Sequence, residues 1–166
     1  MNRWRALVAE ALYGDLHRDI VVAAIAGQNE RQIDKSSAAI LTVEQRWSQE
    51  KREGGGALLA SVDRNALSTY LRTLKAEAEG LYTEILVMDK RGFLVGQSDI
   101  ASDYYQGDER KYLLTFPIGA GEVLVDLVEY DASVQAIQSQ VSFTIVDPET
   151  DEPIGAATVG LNGNML

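Results

Sequence analysis

Apolar positions recur at two different periods along the chain, and the change falls near residue 80. Before it, Leu7, Leu12, Leu16, Ile20, Val21, Ala24 and Ile25 follow helical spacing, with Gly14 and Gly27 as candidate breaks. A second helical stretch is expected from about Asn29 to Arg52, with Ile33, Ile40, Val43 and Trp47 on its apolar face. Gly54-Gly55-Gly56 stops it. A third follows. Ser61 to Asn65 offers cap-type residues, Leu67, Leu71, Leu74 and Ala78 form the stripe, and Gly80 is expected as the C-cap. Residues 2 to 80 hold no proline and are rich in Ala, Leu, Glu, Arg and Gln, all good helix formers.

From Leu81 the period is that of strands. Tyr82 to Met88 and Phe93 to Gln97 flank the turn Asp89-Lys90-Arg91-Gly92, in which Gly92 can take positive φ, and this predicts a hairpin. Ser98 to Gly107 is polar and loop-like, and Asp108 to Phe116 is expected as a short helix ended by Pro117. Glu122 to Tyr130 is a third strand and Val134 to Val146 a fourth. The fourth alternates Val141, Phe143 and Ile145 against Gln140, Ser142 and Thr144. After an acidic turn, Ile154 to Leu161 is the last strand. Helices followed by antiparallel strands make an α+β pattern. Residues 1–80 are expected as a helical region packing on the sheet and residues 81–166 as the sheet with its connector, one domain overall.

The chain has 166 residues, 46% hydrophobic and 24% charged, with a net charge of −10. These values fit a globular domain and argue against disorder. The negative charge argues against a nucleic-acid partner, because phosphate binding needs the opposite sign. With no cysteine there is no disulfide, thiolate metal site or cysteine nucleophile, and one histidine, His17, argues against most zinc and triad chemistry. The longest apolar run, Ile20 to Ala26, is far short of the ~20 residues needed to cross a bilayer. Glu10 and Asp15 interrupt any secretory h-region, so either the protein is cytoplasmic or Met1 follows a removed signal or anchor.

The densest polar–aromatic segment runs from Ser102 to Tyr112 and contains Tyr104, Tyr105, Asp108, Arg110, Lys111 and Tyr112. Tyrosine presents a flat apolar face with a hydroxyl at its tip, suited to enclosing a small organic ligand. Asp108 is a candidate acceptor for an amine, and Arg110 or Lys111 a candidate partner for a carboxylate. The plainer reading is a solvated connector whose tyrosines cover the sheet. Gln138, Gln140, Ser142 and Thr144 line a pocket floor or face water, and the pattern does not choose. Asp147, Glu149, Asp151 and Glu152 lack the spacing and the turn glycine of a calcium loop, and read as a solvated hairpin tip. His17 reads as a surface or satisfied helix residue, and Trp4 and Trp47 as packing anchors. No glycine-rich phosphate motif precedes a helix.

"YTEILVMDKRGFLVGQSDIASDYYQGDERKY" and "QSQVSFTIVDPETDEPIGAATVGLN" together resemble the Cache superfamily. More narrowly, they resemble the PDC-type (PhoQ/DcuS/CitA-like) extracytoplasmic sensor domains of bacteria. The resemblance covers about residues 81 to 162, and "QNERQIDKSSAAILTVEQRW" is similar to the start of small stand-alone periplasmic PDC proteins. It implies a PAS-like, five-stranded antiparallel sheet with a long helix on one face and a ligand pocket under loops on the other. It implies sensing without catalysis or a cofactor. The implied ligand is a small metabolite such as a carboxylate, amino acid or amine. The matching pocket wall is Tyr104, Tyr105, Asp108, Lys111 and Tyr112, and to it we add Ser142 or Thr144 as a strand hydroxyl that fixes the ligand's polar groups. The implied location is periplasmic.

Members of that superfamily are usually anchored by transmembrane helices or joined to an output module, and this chain shows neither. The implied partner is then a membrane receptor or kinase, and the N-terminal helices offer a surface for a homodimer. The alternative function is a periplasmic interaction module that acts through a membrane receptor without a ligand of its own. An enzyme would have only carboxylate or tyrosine chemistry to draw on.

Overall fold

The computed structural model describes residues 3–131 and 136–165. The side chains of Trp4 and Leu7, and the expected start of the fourth strand at Val134, lie outside what it describes. The helical half is α1 (Arg3–Asp15), α2 (Asp19–Asn29), α3 (Ser37–Glu53), α4 (Ala57–Asp63) and α5 (Ala66–Glu77). The sheet half is β1 (Tyr82–Asp89), β2 (Leu94–Gln97), α6 (Arg110–Leu113), β3 (Val123–Asp131), β4 (Ala136–Val146) and β5 (Pro153–Asn162). No described helix is long and apolar enough to cross a membrane.

Several helix boundaries differ from the sequence expectation, each for a local reason. Gly14 and Gly27 lie inside helices, and the break falls at residues 16–18. The turn there lets Leu12 and Leu16 join Val21 and Ile25 in one buried cluster. α3 starts at Ser37 and not near Asn29. Asp34 Oδ1 accepts the Ser36 N–H (2.8 Å) and the Ser36 hydroxyl accepts the Ala39 N–H (3.3 Å), which delays the helix. Ile33 therefore reaches its apolar neighbours from a non-helical segment. The expected third helix is α5, and a further short helix, α4, precedes it. Asn65 caps α5 by accepting the Ser68 N–H (2.8 Å), while its amide donates to the Val95 carbonyl (2.7 Å). Gly80 takes positive φ (92°) beyond the C-cap of α5, which is Ala78. The glycine corner is held by Glu50, whose carboxylate accepts the N–H groups of Leu59 (2.7 Å) and Leu58 (3.4 Å) at the start of α4.

The strands form one antiparallel sheet in the order β2-β1-β5-β4-β3, so the first and last strands of the sequence half lie side by side. Both sheet faces are covered. On one, Ile85, Val87, Val141, Phe143, Ile145, Val159 and Leu161 pack against residues of α1, α2 and α5. On the other, Leu86, Met88, Leu94 and Ala156 pack with Trp47, Leu59, Val62, Phe93, Tyr104 and Tyr112. Trp47 is fully buried and donates its indole N–H to the Ala101 carbonyl (3.0 Å), so it anchors the connector to α3. His17 is satisfied on both ring nitrogens, by the Tyr13 carbonyl (2.7 Å) and the Val146 N–H (3.1 Å).

Candidate functional site

The connector from Ser98 to Glu122 is tied down at its start. Asp89 is fully buried, and its carboxylate accepts the N–H groups of Arg91 (2.8 Å) and Phe93 (3.1 Å), which closes the hairpin turn. Gly92 takes φ 93° in that turn. The Leu94 N–H donates to the Tyr104 carbonyl (3.1 Å) and the Gln106 N–H to the Gly92 carbonyl (2.7 Å). The tyrosine-bearing stretch thus runs back along the hairpin and does not project into water. From there the chain crosses to α6, which meets β4.

The sequence-nominated residues fall into two groups. Tyr104, Tyr105 and Tyr112 belong to the aromatic end. Tyr104 packs between Trp47 (ring centroids 5.5 Å) and Phe93 (5.4 Å). Tyr105 rests on Phe93 (5.1 Å) and its N–H donates to the Glu44 carboxylate. Tyr112 stacks on Phe116 and donates its hydroxyl to the Lys90 carbonyl (2.6 Å), and burial pushes its pKa up to about 12. Asp108 is exposed.

Lys111, Ser142 and Thr144 belong to the second group, on the middle of the sheet face under α6. Alternation puts Ser142 and Thr144 on the face opposite Val141 and Phe143. Both are fully buried, so they do not face bulk water. Ser142 shares a hydrogen bond with Thr158 across the β4–β5 ladder (2.8 Å), whereas the Thr144 hydroxyl has no partner among the described residues. Lys111 has a side chain only 11% exposed and pairs with Glu109 (3.1 Å).

Sequence reasoning missed the group that faces Lys111. Glu84 sits on β1, a central strand, on the same face as Leu86 and Thr158. Burial pushes its carboxyl pKa up, and the positive charge of Lys111 opposes that shift. The available signal was the one charged residue in a mostly apolar run, Tyr82-Thr83-Glu84-Ile85-Leu86-Val87-Met88. Lys75 and Asp99 flank it. The Lys75 ammonium donates to both Asp99 oxygens at 2.8 Å. Ser98 ties Asp99 to β1 by accepting the Ile85 N–H (2.7 Å) and donating to Asp99 (2.7 Å). On the far side Arg110 faces Asp126 at 3.7 Å.

The result is a strip of hydroxyls and charges crossing β1, β5 and β4, bordered on the hairpin side by the aromatic cluster. Such a strip can hydrogen-bond and charge-match a small polar molecule. Among the described residues no group of acidic or histidine side chains is arranged to hold a metal ion. A separate open cleft of about 590 Å³ lies between the end of α2 and the hairpin turn, lined by Arg31, Ile33, Asp34, Lys90 and Arg91 among others.

No protein-family model and no curated protein matches the sequence. Solved structures do match. The extracellular domain of the histidine kinase vpHK1S-Z8 superposes with a TM-score of 0.53 at 12% identity, over 98% of this chain and 53% of that one. The Escherichia coli DcuS sensor domain matches at 19% identity and TM-score 0.45, over 78% of this chain and 90% of its own. The ligand-binding domain of the Campylobacter jejuni chemoreceptor Tlp3, in complex with 4-methylisoleucine, matches at 11% identity and TM-score 0.45, over 90% and 63%. The chain thus spans less than two thirds of the Tlp3 and vpHK1S-Z8 domains. The α+β fold is shared with the extracellular domain of vpHK1S-Z8.

Proposed function

We propose that the chain is an extracytoplasmic sensor domain of bacterial signal transduction, and that it binds a small metabolite between α6 and the sheet. The ligand class is a carboxylate, amino acid or amine. The observation that carries this reading is the polar strip Glu84–Thr158–Ser142–Thr144 with Lys111 above it, set inside a face that is otherwise apolar. Buried charge and unpartnered hydroxyl oxygen are costly in a face that only has to pack. A ligand supplying their partners recovers that cost. The fold likeness supports the reading.

The site would work without catalysis or a cofactor. α6 and the loop beyond it close over the ligand, while the earlier connector, pinned at Ala101, Tyr104 and Gln106, stays fixed. Closure shifts a two-state equilibrium by the difference in ligand affinity between the states. The output partner is a membrane receptor or kinase, in the periplasm, with the N-terminal helices as the dimer surface. The domain boundaries follow the sequence reading, residues 1–80 and 81–166 within one domain.

A melting screen with amino acids, amines and carboxylates tests the reading. At least one compound raises the melting temperature of the wild-type domain, and Lys111→Ala or Ser142→Val removes the rise. A screen in which nothing shifts melting contradicts it. One observation favours a second reading, an interaction module with no ligand of its own. The rings of Tyr104 and Tyr112 are buried in the apolar cluster and do not wall an open space. A silent screen together with tight capture of the wild-type domain by a membrane receptor fragment supports that second reading.

A further inference from the structure

The strip is polar on both signs, yet its charges do not balance, and the imbalance sits at one residue. The β1–β5 register slips between Tyr82 and Glu84, so Thr83 is an extra residue and both Thr83 and Glu84 lie against Gly160. A bulge of this kind re-aims side chains. A Cβ on Gly160 would stand 2.3 Å from the Thr83 hydroxyl and 3.5 Å from the Glu84 Cγ, so glycine there leaves both groups their place on the sheet face. The Thr83 hydroxyl is buried with no partner among the described residues, as is that of Thr144 on the same face.

The cations nearby are already committed. Lys75 takes Asp99, Lys111 takes Glu109 and Arg110 takes Asp126. Among the described residues Glu84 has neither an ion pair nor a hydrogen bond. Around it, three carboxylates (Glu84, Asp99 and Glu109) face two ammonium groups (Lys75 and Lys111). An anionic ligand would add to that surplus, whereas a cation removes it. An ammonium brings three donors and no acceptor, which suits a carboxylate beside hydroxyl oxygens that lack donors.

We infer that the strip recognises an ammonium group, with the Glu84 carboxylate as its counter-charge and Thr83 Oγ1 as a second acceptor, so that the ligand is a small cationic amine. The inference rests on reading the strip as a ligand site. Burial raises the Glu84 pKa, and a cation bound beside it opposes that shift.

The test uses the whole chain and chain-length-matched probes: butylamine, 1,4-diaminobutane, 4-aminobutyrate, butyrate and succinate. An amine is expected to raise the melting temperature. Glu84→Gln, nearly isosteric, is expected to weaken amine binding about tenfold or more. If that variant does not fold, Thr83→Val is expected to weaken amine binding severalfold with the charge intact. Stabilisation by carboxylates alone overturns the inference and leaves the sensor reading standing. Amine binding unchanged in Glu84→Gln, or in Thr83→Val where Glu84→Gln does not fold, also overturns it. No response to any probe or to the wider screen overturns both.

Discussion

The α-carbon of Gly107 stands 2.4 Å from where a Cβ on Gly92 would project. Two glycines therefore meet where the connector returns to the hairpin, and the Gln106 N–H to Gly92 carbonyl bond (2.7 Å) closes the contact. Gly92 is constrained twice, by this approach and by its φ of 93°. Gly92→Ala combines a left-handed backbone penalty with overpacking against backbone, roughly 2–4 kcal/mol in total. Urea unfolding should show that loss. A loss under ~0.5 kcal/mol, the range of an ordinary surface substitution, would mean that the connector does not depend on this contact.

Trp47 ties α3 to the connector through the Ala101 carbonyl (3.0 Å). Trp47→Phe keeps an aromatic ring but leaves that carbonyl without its donor and opens a space beside Tyr104. A destabilisation of about 2–3 kcal/mol is expected from the two effects. Amide exchange should also speed up around Ala101 to Tyr105 more than in β4. Equal acceleration throughout would show that the bond does not hold the connector in particular.

His17 binds with its Nδ1–H donating to the Tyr13 carbonyl and its Nε2 accepting the Val146 N–H. That arrangement needs the neutral ring. Desolvation lowers the pKa of His17 below 6.5, although the Tyr13 carbonyl opposes the shift. Below pH 6.5 the unfolded chain takes up a proton that the folded chain resists. The stabilising contribution of His17 is therefore complete above that pH and is lost as pH falls from there toward the lower folded value. Unfolding free energies of wild type and His17→Gln, measured between pH 7.5 and 5, should converge as pH falls. A constant difference would contradict the tautomer.

Much of the architecture was legible in the sequence because periodicity carries it. The strand alternation of Val141, Phe143 and Ile145 and the Asp89–Gly92 turn placed the hairpin and the long strand. The helix starts were less legible, because side chains decide them locally. Asp34 and Ser36 delay α3, and α4 forms between the glycines and the Asn65 cap of α5, where no separate helix was expected. The candidate site was legible only in part. The connector tyrosines stand out in sequence for their density, yet Tyr104 and Tyr112 are buried in a core that their spacing does not reveal. Glu84 acquires meaning only when the β1–β5 pairing sets it over Gly160 and α6 brings the charge of Lys111 within range of it, and both relations join distant parts of the chain.

Gly160→Ala places a methyl group against the Thr83 hydroxyl, where a Cβ has 2.3 Å of room. The substitution should cost about 1–3 kcal/mol through overpacking and should weaken ligand binding more than an equally destabilising change on the opposite sheet face, such as Val159→Ala. Melting curves with and without ligand separate the two effects. Equal loss of ligand response in both variants would remove the bulge from the site.

The central claim is that a small molecule occupies the strip beneath α6. Spectra of the domain methyl-labelled at threonine, isoleucine and valine report on it directly, because Thr83, Thr144 and Thr158 all carry a methyl group beside the proposed ligand. Titrating the domain with a compound that raises its melting temperature should move those three methyl signals in a saturable way, with the signals of Ile20 and Val21 unmoved. Movement of the Ile33 signal in the cleft beside Arg31, with the three threonines unmoved, would contradict the claim.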